Sequence, residues 1–435
     1  MKRLTAGLCL LLISPQTAAA QETFHGSAAR TGVYSSPGPK QLGGVKWAFK
    51  TDGAVVSSPA VSGGLVFVGS LDTNLYAVDQ ETGAQKWRFK TEGPVASSPA
   101  VADGTVYFGG NDGVFYALAA DTGAVRWRFA TERGERRFEA KGLHGTRPRA
   151  QTAPDPFDLF TSSPAVYGNR VYFGSGDGNV YALDAQTGVL QWKFSTGEVV
   201  RASPAVVNNT VYVGSWDSYL YALDAETGVE RWRFKTGEDP VNHNQVGFQS
   251  SPAVVDGVLY VGCRDAHVYA LDAATGRKKW DYYTSKAWVM GTPAVGGGAV
   301  YVGTGDTRKF LALDAKTGRL RFSLDTKTAL FSSPALAGEM IYVGALNGRL
   351  YAVDVKEGKL AWEFQTESSR NDPLKVLNPD GTRNQAGFTP TFFDFQDMYV
   401  TWYRYFSVGA IVSSPVVDRG VVYFGGTDGF LYALR

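Results

Sequence analysis

The sequence predicts an all-β fold, an eight-bladed β-propeller of four-stranded antiparallel blades, closed by an N-terminal strand that completes the last blade. Three observations predict it. A Ser-Pro-Ala-Val type motif recurs eight times, with its proline at 59, 99, 164, 204, 252, 293, 334 and 415. The commonest spacing, 40 or 41 residues, suits one four-stranded blade. The repeat is also split between the chain ends, which an open array would have no reason to do.

Taken in order, the first element is a leader. Lys2 and Arg3 precede an apolar stretch from Leu8 to Ile13, and Ala18-Ala19-Ala20 follows just before Gln21. This is the pattern of a secretory signal peptide over residues 1–20, cleaved after Ala20. Cys9 lies inside the apolar stretch and Gln21 stands at the cleavage point, so no lipid-anchoring cysteine is expected there. Removing residues 1–20 takes away two cations and no acid, and the formal charge falls from +2 to 0. A neutral chain has no general attraction for nucleic acid or anionic membrane. The expectation is a periplasmic or extracellular monomer without a transmembrane segment. Cys263 alone remains, so no internal disulfide can form.

Residues 21–44 form an N-terminal extension, and residues 45–435 form the propeller. The chain enters the ring with one strand, Lys46-Trp47-Ala48-Phe49. The second unit then reads as four strands around Ser98–Val101, Val106–Gly109, Phe115–Leu118 and Arg126–Phe129, lettered A to D. Asn111-Asp112-Gly113 and Asp121-Thr122-Gly123 supply tight turns, where glycine provides the positive φ. The last unit ends at Leu431-Tyr432-Ala433-Leu434 and lacks a strand D. Joining the two ends hides two sheet edges that would otherwise invite aggregation.

Ala77-x-Asp79-x-x-Thr82-Gly83-x-x-x-Trp87 resembles the tryptophan-docking motif of PQQ-type propeller repeats. Copies run from Ala182, Ala222, Ala270 and Ala352, with Ala119 replacing Asp in one repeat and Phe322 replacing Trp in another. The resemblance implies that Trp47, Trp87, Trp127, Trp192, Trp232, Trp280 and Trp362 pack between neighbouring blades.

Length variation falls on the D–A connections, which share one face, the top, with the B–C turns. Inserts at 132–160, 238–249 and 367–411 suggest a built-up surface over the central channel. The first opens with Arg133, Arg136, Arg137 and Lys141, and reads as a solvated charged loop or an anion-binding lip. The last carries Phe388, Phe392, Phe393, Phe395, Tyr399, Trp402, Tyr403, Tyr405 and Phe406. It reads as a lid packed on the ring, or as an aromatic platform for a ligand.

Several residues on this face break the repeat and are candidates for binding a ligand or partner. Arg201 stands where the other copies mostly carry Ser. Trp216 and Arg264 occupy B–C turns, and Trp288 precedes a strand A. His243 and His267 fall on the D–A and B–C connections of one blade. Two histidines could begin a metal site, but no acid set of recognisable spacing accompanies them, so no metal is expected.

Two functions follow. The first is a non-catalytic binding or scaffolding propeller with no cofactor, similar to the propeller of the outer-membrane protein assembly machinery. The second is a quinoprotein dehydrogenase using PQQ and calcium. Resemblance to those enzymes implies a quinone held between a tryptophan and a disulfide of adjacent cysteines, which this chain cannot make.

Overall fold

Apolar runs such as Val66-Phe67-Val68 have no polar face, so strands B and C of each unit are buried on both sides, while strand D alternates and forms the rim. The computed structural model describes residues 23–132, 161–237, 247–386 and 395–435, with the backbone alone of a short ribbon pairing 138–139 with 152–153. Eight antiparallel sheets follow one another around a central channel. Blade 1 comprises strand A (Ala60–Ser62), B (Leu65–Gly69), C (Asn74–Asp79) and D (Gln85–Lys90). Blades 2 to 7 repeat this over residues 100–130, 165–195, 205–235, 253–283, 294–325 and 335–365. Each strand A touches the next, and the last touches the first, so the ring is closed.

Blade 8 joins the two ends of the chain. Its strands A, B and C are Val416–Asp418, Val421–Gly425 and Phe430–Leu434, and its strand D is Val45–Lys50. Trp47 sits opposite Ala433, the register that Trp87 keeps with Ala77 in blade 1. The closure is tied by Gly43 N–H donating to the Arg435 carbonyl at 2.6 Å and Arg435 N–H donating to the Gly44 carbonyl at 3.1 Å.

The blades are welded by two recurring devices. In the first, a strand D indole lies on the C–D turn of the next blade. Trp47 Nε1 donates to the Gln80 carbonyl at 3.0 Å, Trp127 to that of Ala185 at 3.0 Å, and Trp232 to that of Ala273 at 3.1 Å. The turn is shaped by its aspartate: Asp79 Oδ1 accepts from the N–H and hydroxyl of Thr82, both at 2.9 Å. Lys86 and these turn donors hold the Asp79 carboxyl well below its usual range. The turn glycine is required twice over. Gly276 has φ +71°, and a Cβ there would lie 2.5 Å from Trp232 Cε3. Ala119 loses only the side-chain acceptor, because Gly123 N–H still reaches its carbonyl at 2.8 Å. Phe322 packs on Gly358 without the hydrogen bond.

The second device explains the Ser-Ser-Pro motif. The first hydroxyl bridges blades, as Ser57 Oγ donates to the Ser97 carbonyl at 3.1 Å and accepts from Gly69 N–H at 3.1 Å. The second hydroxyl accepts the backbone N–H of its counterpart in the preceding blade. Ser58 N–H donates to Ser98 Oγ at 2.9 Å, and around the ring Ser414 N–H returns to Ser58 Oγ at 2.8 Å. Seven such bonds, between 2.8 and 3.1 Å, run around the channel.

Residues 23–44 are part of this architecture. Val33–Tyr34 pairs parallel with strand A of blade 7 and makes that sheet five-stranded. Upstream, the carbonyls of Ala28, Ala29, Thr31 and Gly32 accept from Val206, Val254, Val295 and Leu336, on the innermost strands of blades 4 to 7. Arg30 is fully buried and donates to the carbonyls of Phe24, Ser163, Pro164 and Pro204 at 2.7–2.9 Å. His25 places both ring nitrogens against carbonyls, of Arg30 at 2.7 Å and Pro334 at 2.9 Å, which favours the imidazolium. Burial outweighs this and pulls its pKa down to about 4. Downstream, the Pro39 carbonyl accepts from Tyr342 Oη at 2.9 Å and Trp362 Nε1 at 3.0 Å. Blade 7 faces no Thr-Gly turn, because the chain ends meet there, and the extension replaces it.

Candidate functional site

B–C turns and D–A connections adjoin on the top face: Trp216 N–H donates to the Val199 carbonyl at 3.1 Å, and Gly305 N–H to that of Trp288 at 2.9 Å. Over blades 4 to 6 these loops gather four of the off-pattern residues into one stack. The Arg201 guanidinium lies 5.1 Å from the Trp216 ring centre. Arg264 lies between two indoles, 4.6 Å from Trp216 and 4.2 Å from Trp288. Cation, indole, cation and indole thus alternate. Each desolvated cation–indole contact is worth up to about 2 kcal/mol. Arg264 is fully buried, and burial lowers its pKa to about 10, leaving it charged at neutral pH.

Local sequence builds the stack. From Thr51 to Val55 the D–A connection steps four residues, whereas from Thr284 to Val289 it steps five. Val55 and Val289 fill equivalent places beneath Gly425 and Gly262. The Trp288 carbonyl accepts from Gly305 as the Ala54 carbonyl does from Leu71, so Trp288 stands where blade 8 leads into Ala54, and the extra residue falls at Ser285–Lys286. Ser285 and Lys286 take φ of +58° and +74° to accommodate it. Left-handed conformations cost non-glycine residues about 1–2 kcal/mol each, the kind of local strain that gathers at functional sites. Trp216 Nε1 donates to Gln249 Oε1 at 3.1 Å, and the backbone of Gly247 lies so close that a Cβ would meet Trp216 Cα at 2.8 Å.

The register of Arg201 differs from the sequence reading. Ser203 Oγ accepts Ser163 N–H, so Ser203 matches the second serine and Ala202 the first. Arg201 is one position earlier, level with Val56, Ala96, Gln249, Met290 and Phe331, which line the channel. Aligning the motif by its serines misplaces Arg201, because one of the two serines is absent in this blade.

His267 is the first residue of strand C in blade 5, paired with Tyr283, not a turn residue. Its ring lies beside Tyr269 and Tyr283, and Asp265 raises its pKa. The Tyr283 contact places it toward strand D of the same blade. His243 lies outside the described residues, as do 133–137, 140–151 and 154–160 of the first insert. Among the described residues of the last insert are two helices, α1 (Glu367–Asn371) and α2 (Phe395–Ser407). From α2, Trp402 packs 6.0 Å from Phe331 and joins the apolar cluster of Trp216, Trp288 and Met290, while Tyr403 is 69% exposed.

Beneath the stack, a cavity of about 70 Å³ is lined by the second serine of seven motifs and Thr292 of the eighth, with Thr161, Arg201, Gln249, Met290 and Phe331, and Phe24 from the N-terminal segment. Small-molecule sites occupy about 300–1,000 Å³. The donor set also differs from that of a quinone site. Arg264 fills the space between the indoles, and Cys263 is a buried single thiol against the Gly247 carbonyl. Among the described residues, no three His, Cys, Asp or Glu side chains gather as a metal site would require. These residues do not fit PQQ and calcium. Sequence reasoning missed Phe24, His25 and Arg30 altogether; the small-residue run Gly26-Ser27-Ala28-Ala29 was the one hint that this segment suits a narrow channel.

The family model for the outer membrane protein assembly factor BamB matches residues 38–153, 145–289 and 284–385. No curated protein matches the chain. Among solved structures, BamB from Moraxella catarrhalis aligns with TM-score 0.63 at 18% identity, over 90% of this chain and 97% of that one. A europium-containing methanol dehydrogenase gives 0.67 at 16% identity, over 94% and 91%. The quinohemoprotein alcohol dehydrogenase from Comamonas testosteroni gives 0.67 at 16%, over 95% and 80%. Likeness at such identities speaks for the fold, and the fold hosts both chemistry and binding.

Proposed function

The chain belongs to the BamB family of PQQ-repeat propellers, and from that premise we propose that it is an exported, non-catalytic binding or scaffolding propeller. Its partner, a protein or a small ligand, would dock on the top face. The observation that carries this reading is the stack of Arg201, Trp216, Arg264 and Trp288, built by departures from the repeat on the face where the connections vary. Aromatic and arginine anchors within a polar rim are how binding surfaces concentrate affinity. The channel supports the same reading. The N-terminal segment fills its lower part and Trp402 packs near its mouth, so the chain's own residues take the room a cofactor would need.

Replacing Arg201, Trp216 and Trp288 together by alanine should abolish capture of the native partner in a pull-down. Replacing Asn208 and Asn209, in the A–B turn of blade 4 on the opposite face, should leave capture intact. Thermal unfolding of both variants identifies any loss that is merely structural. Capture lost with the second set and kept with the first would place the interface on the other face.

A further inference from the structure

We propose that the bottom face, opposite the arginine–tryptophan stack, joins two copies of this chain in a two-fold dimer, in place of the monomer expected from the sequence. Among the described residues, nine of the thirteen large apolar side chains left exposed lie at that face, by the A–B turns, the C–D turns and the channel mouth. Apart from Val33 at the mouth, they form two arcs. Val125, Tyr167, Val189, Leu190 and Val229 lie on blades 2 to 4, and Leu320, Leu360 and Val45 on blades 6 to 8. Blades 1 and 5 carry none there. Single exposed apolar groups are ordinary, but their gathering on one face marks a contact surface.

Charge identifies the occupant. Much of the charge on each arc is paired locally, Arg170 with Glu226 and Arg231 with Asp224 on the first, Arg321 with Asp314 and Lys40 with Glu339 on the second. The charges outside such pairs differ in sign. The first arc keeps Asp103, Asp121 and Asp184 against Arg126. The second keeps Lys316, Arg319, Lys356 and Lys359 against Asp354 and Glu357. The two arcs also lie opposite one another, since blades 3 and 7 are half a ring apart. A bottom-to-bottom pair, turned about an axis through blades 1 and 5, lays blade 2 on blade 8 of the second copy, blade 3 on blade 7 and blade 4 on blade 6. Each acidic arc then meets a basic one, and apolar groups meet apolar groups. Such an isologous contact closes at two copies, and it leaves both top faces free.

Sedimentation velocity of the purified protein over a dilution series should show twice the mass of one chain, with a dissociation constant that rises with salt as the facing charges are screened. Two charge reversals test the register. Lys316→Glu with Arg319→Glu alters blade 6, and Glu226→Lys with Glu230→Lys alters blade 4. Each variant alone places like charges face to face and should dimerise about tenfold more weakly or worse. An equal mixture of the two should regain the dimer, because the reversed blade 6 of one chain then meets the reversed blade 4 of the other. A single-chain mass at every concentration overturns the proposal, as does a dimer indifferent to both reversals or a mixture that regains nothing. Thermal unfolding checks that both variants fold; if one does not, the mass of the unaltered protein and its salt dependence decide. Partner capture by the top face is read separately, so either reading can fail without the other.

Discussion

Replacing Trp47 by alanine is expected to destabilise the whole ring by about 3–5 kcal/mol, the usual cost of truncating a buried tryptophan. The indole is 8% exposed and lies against Gly83 of blade 1, 5.7 Å from Tyr423 of blade 8. It also satisfies the Gln80 carbonyl, which would be left without its donor. That loss is a large part of the total stability of a typical domain, about 5–15 kcal/mol. Trp362→Ala should cost less, because its indole is only partly buried and rests on Pro39 of the extension. Deleting residues 21–52 goes further. It removes strand D of blade 8, bares the edge of Phe430–Leu434 and withdraws Arg30 from the channel. Size-exclusion chromatography and thermal unfolding should show aggregation or a large fall in Tm. A truncated protein as soluble and stable as the full chain would refute closure.

Gly276→Ala should be the second most damaging change, because it combines two costs. Its φ of +71° disfavours any side chain, and the new methyl would sit 2.5 Å from Trp232 Cε3. The backbone term is about 1–2 kcal/mol, and overpacking adds about 1–3 kcal/mol. Gly257 in the same blade separates them. It has φ +73°, and a methyl added there would meet nothing within 4 Å, so Gly257→Ala carries the backbone term alone. Chemical denaturation of both variants should give a difference of about 1–3 kcal/mol, assignable to the indole contact. Equal losses would mean that the indole moves aside freely, and that the docking motif is looser than its geometry.

The fold was legible because the repeat is written in residues that face one another. Trp87, Gly123 and the paired serines recur every 40 residues or so, and each recurrence marks the same contact between blades. The split ends were legible for the same reason. Arg30 was not, since its partners are backbone carbonyls at Ser163, Pro164 and Pro204, which leave no side-chain pattern to read. On the top face, Trp216, Arg264 and Trp288 stand out by breaking the repeat, yet they meet across loops of different blades, a contact that no repeat position records. Arg201 stands out for a position it does not hold, because Ala202 replaces the serine that anchors the comparison. His267 looks like a turn residue because strand C begins one residue earlier than the apolar run Val268 to Leu271 suggests.

The most direct test of the binding reading is an absorbance titration of the purified protein with PQQ and calcium, followed by desalting and a dye-linked oxidation assay with alcohols and sugars. A channel filled by Phe24, His25 and Arg30 below, and by Arg264 between its indoles above, should retain no quinone and give no turnover beyond a protein-free control. A quinone chromophore that stays with the protein, with turnover that disappears on adding a chelator, would contradict the account and make the chain an enzyme.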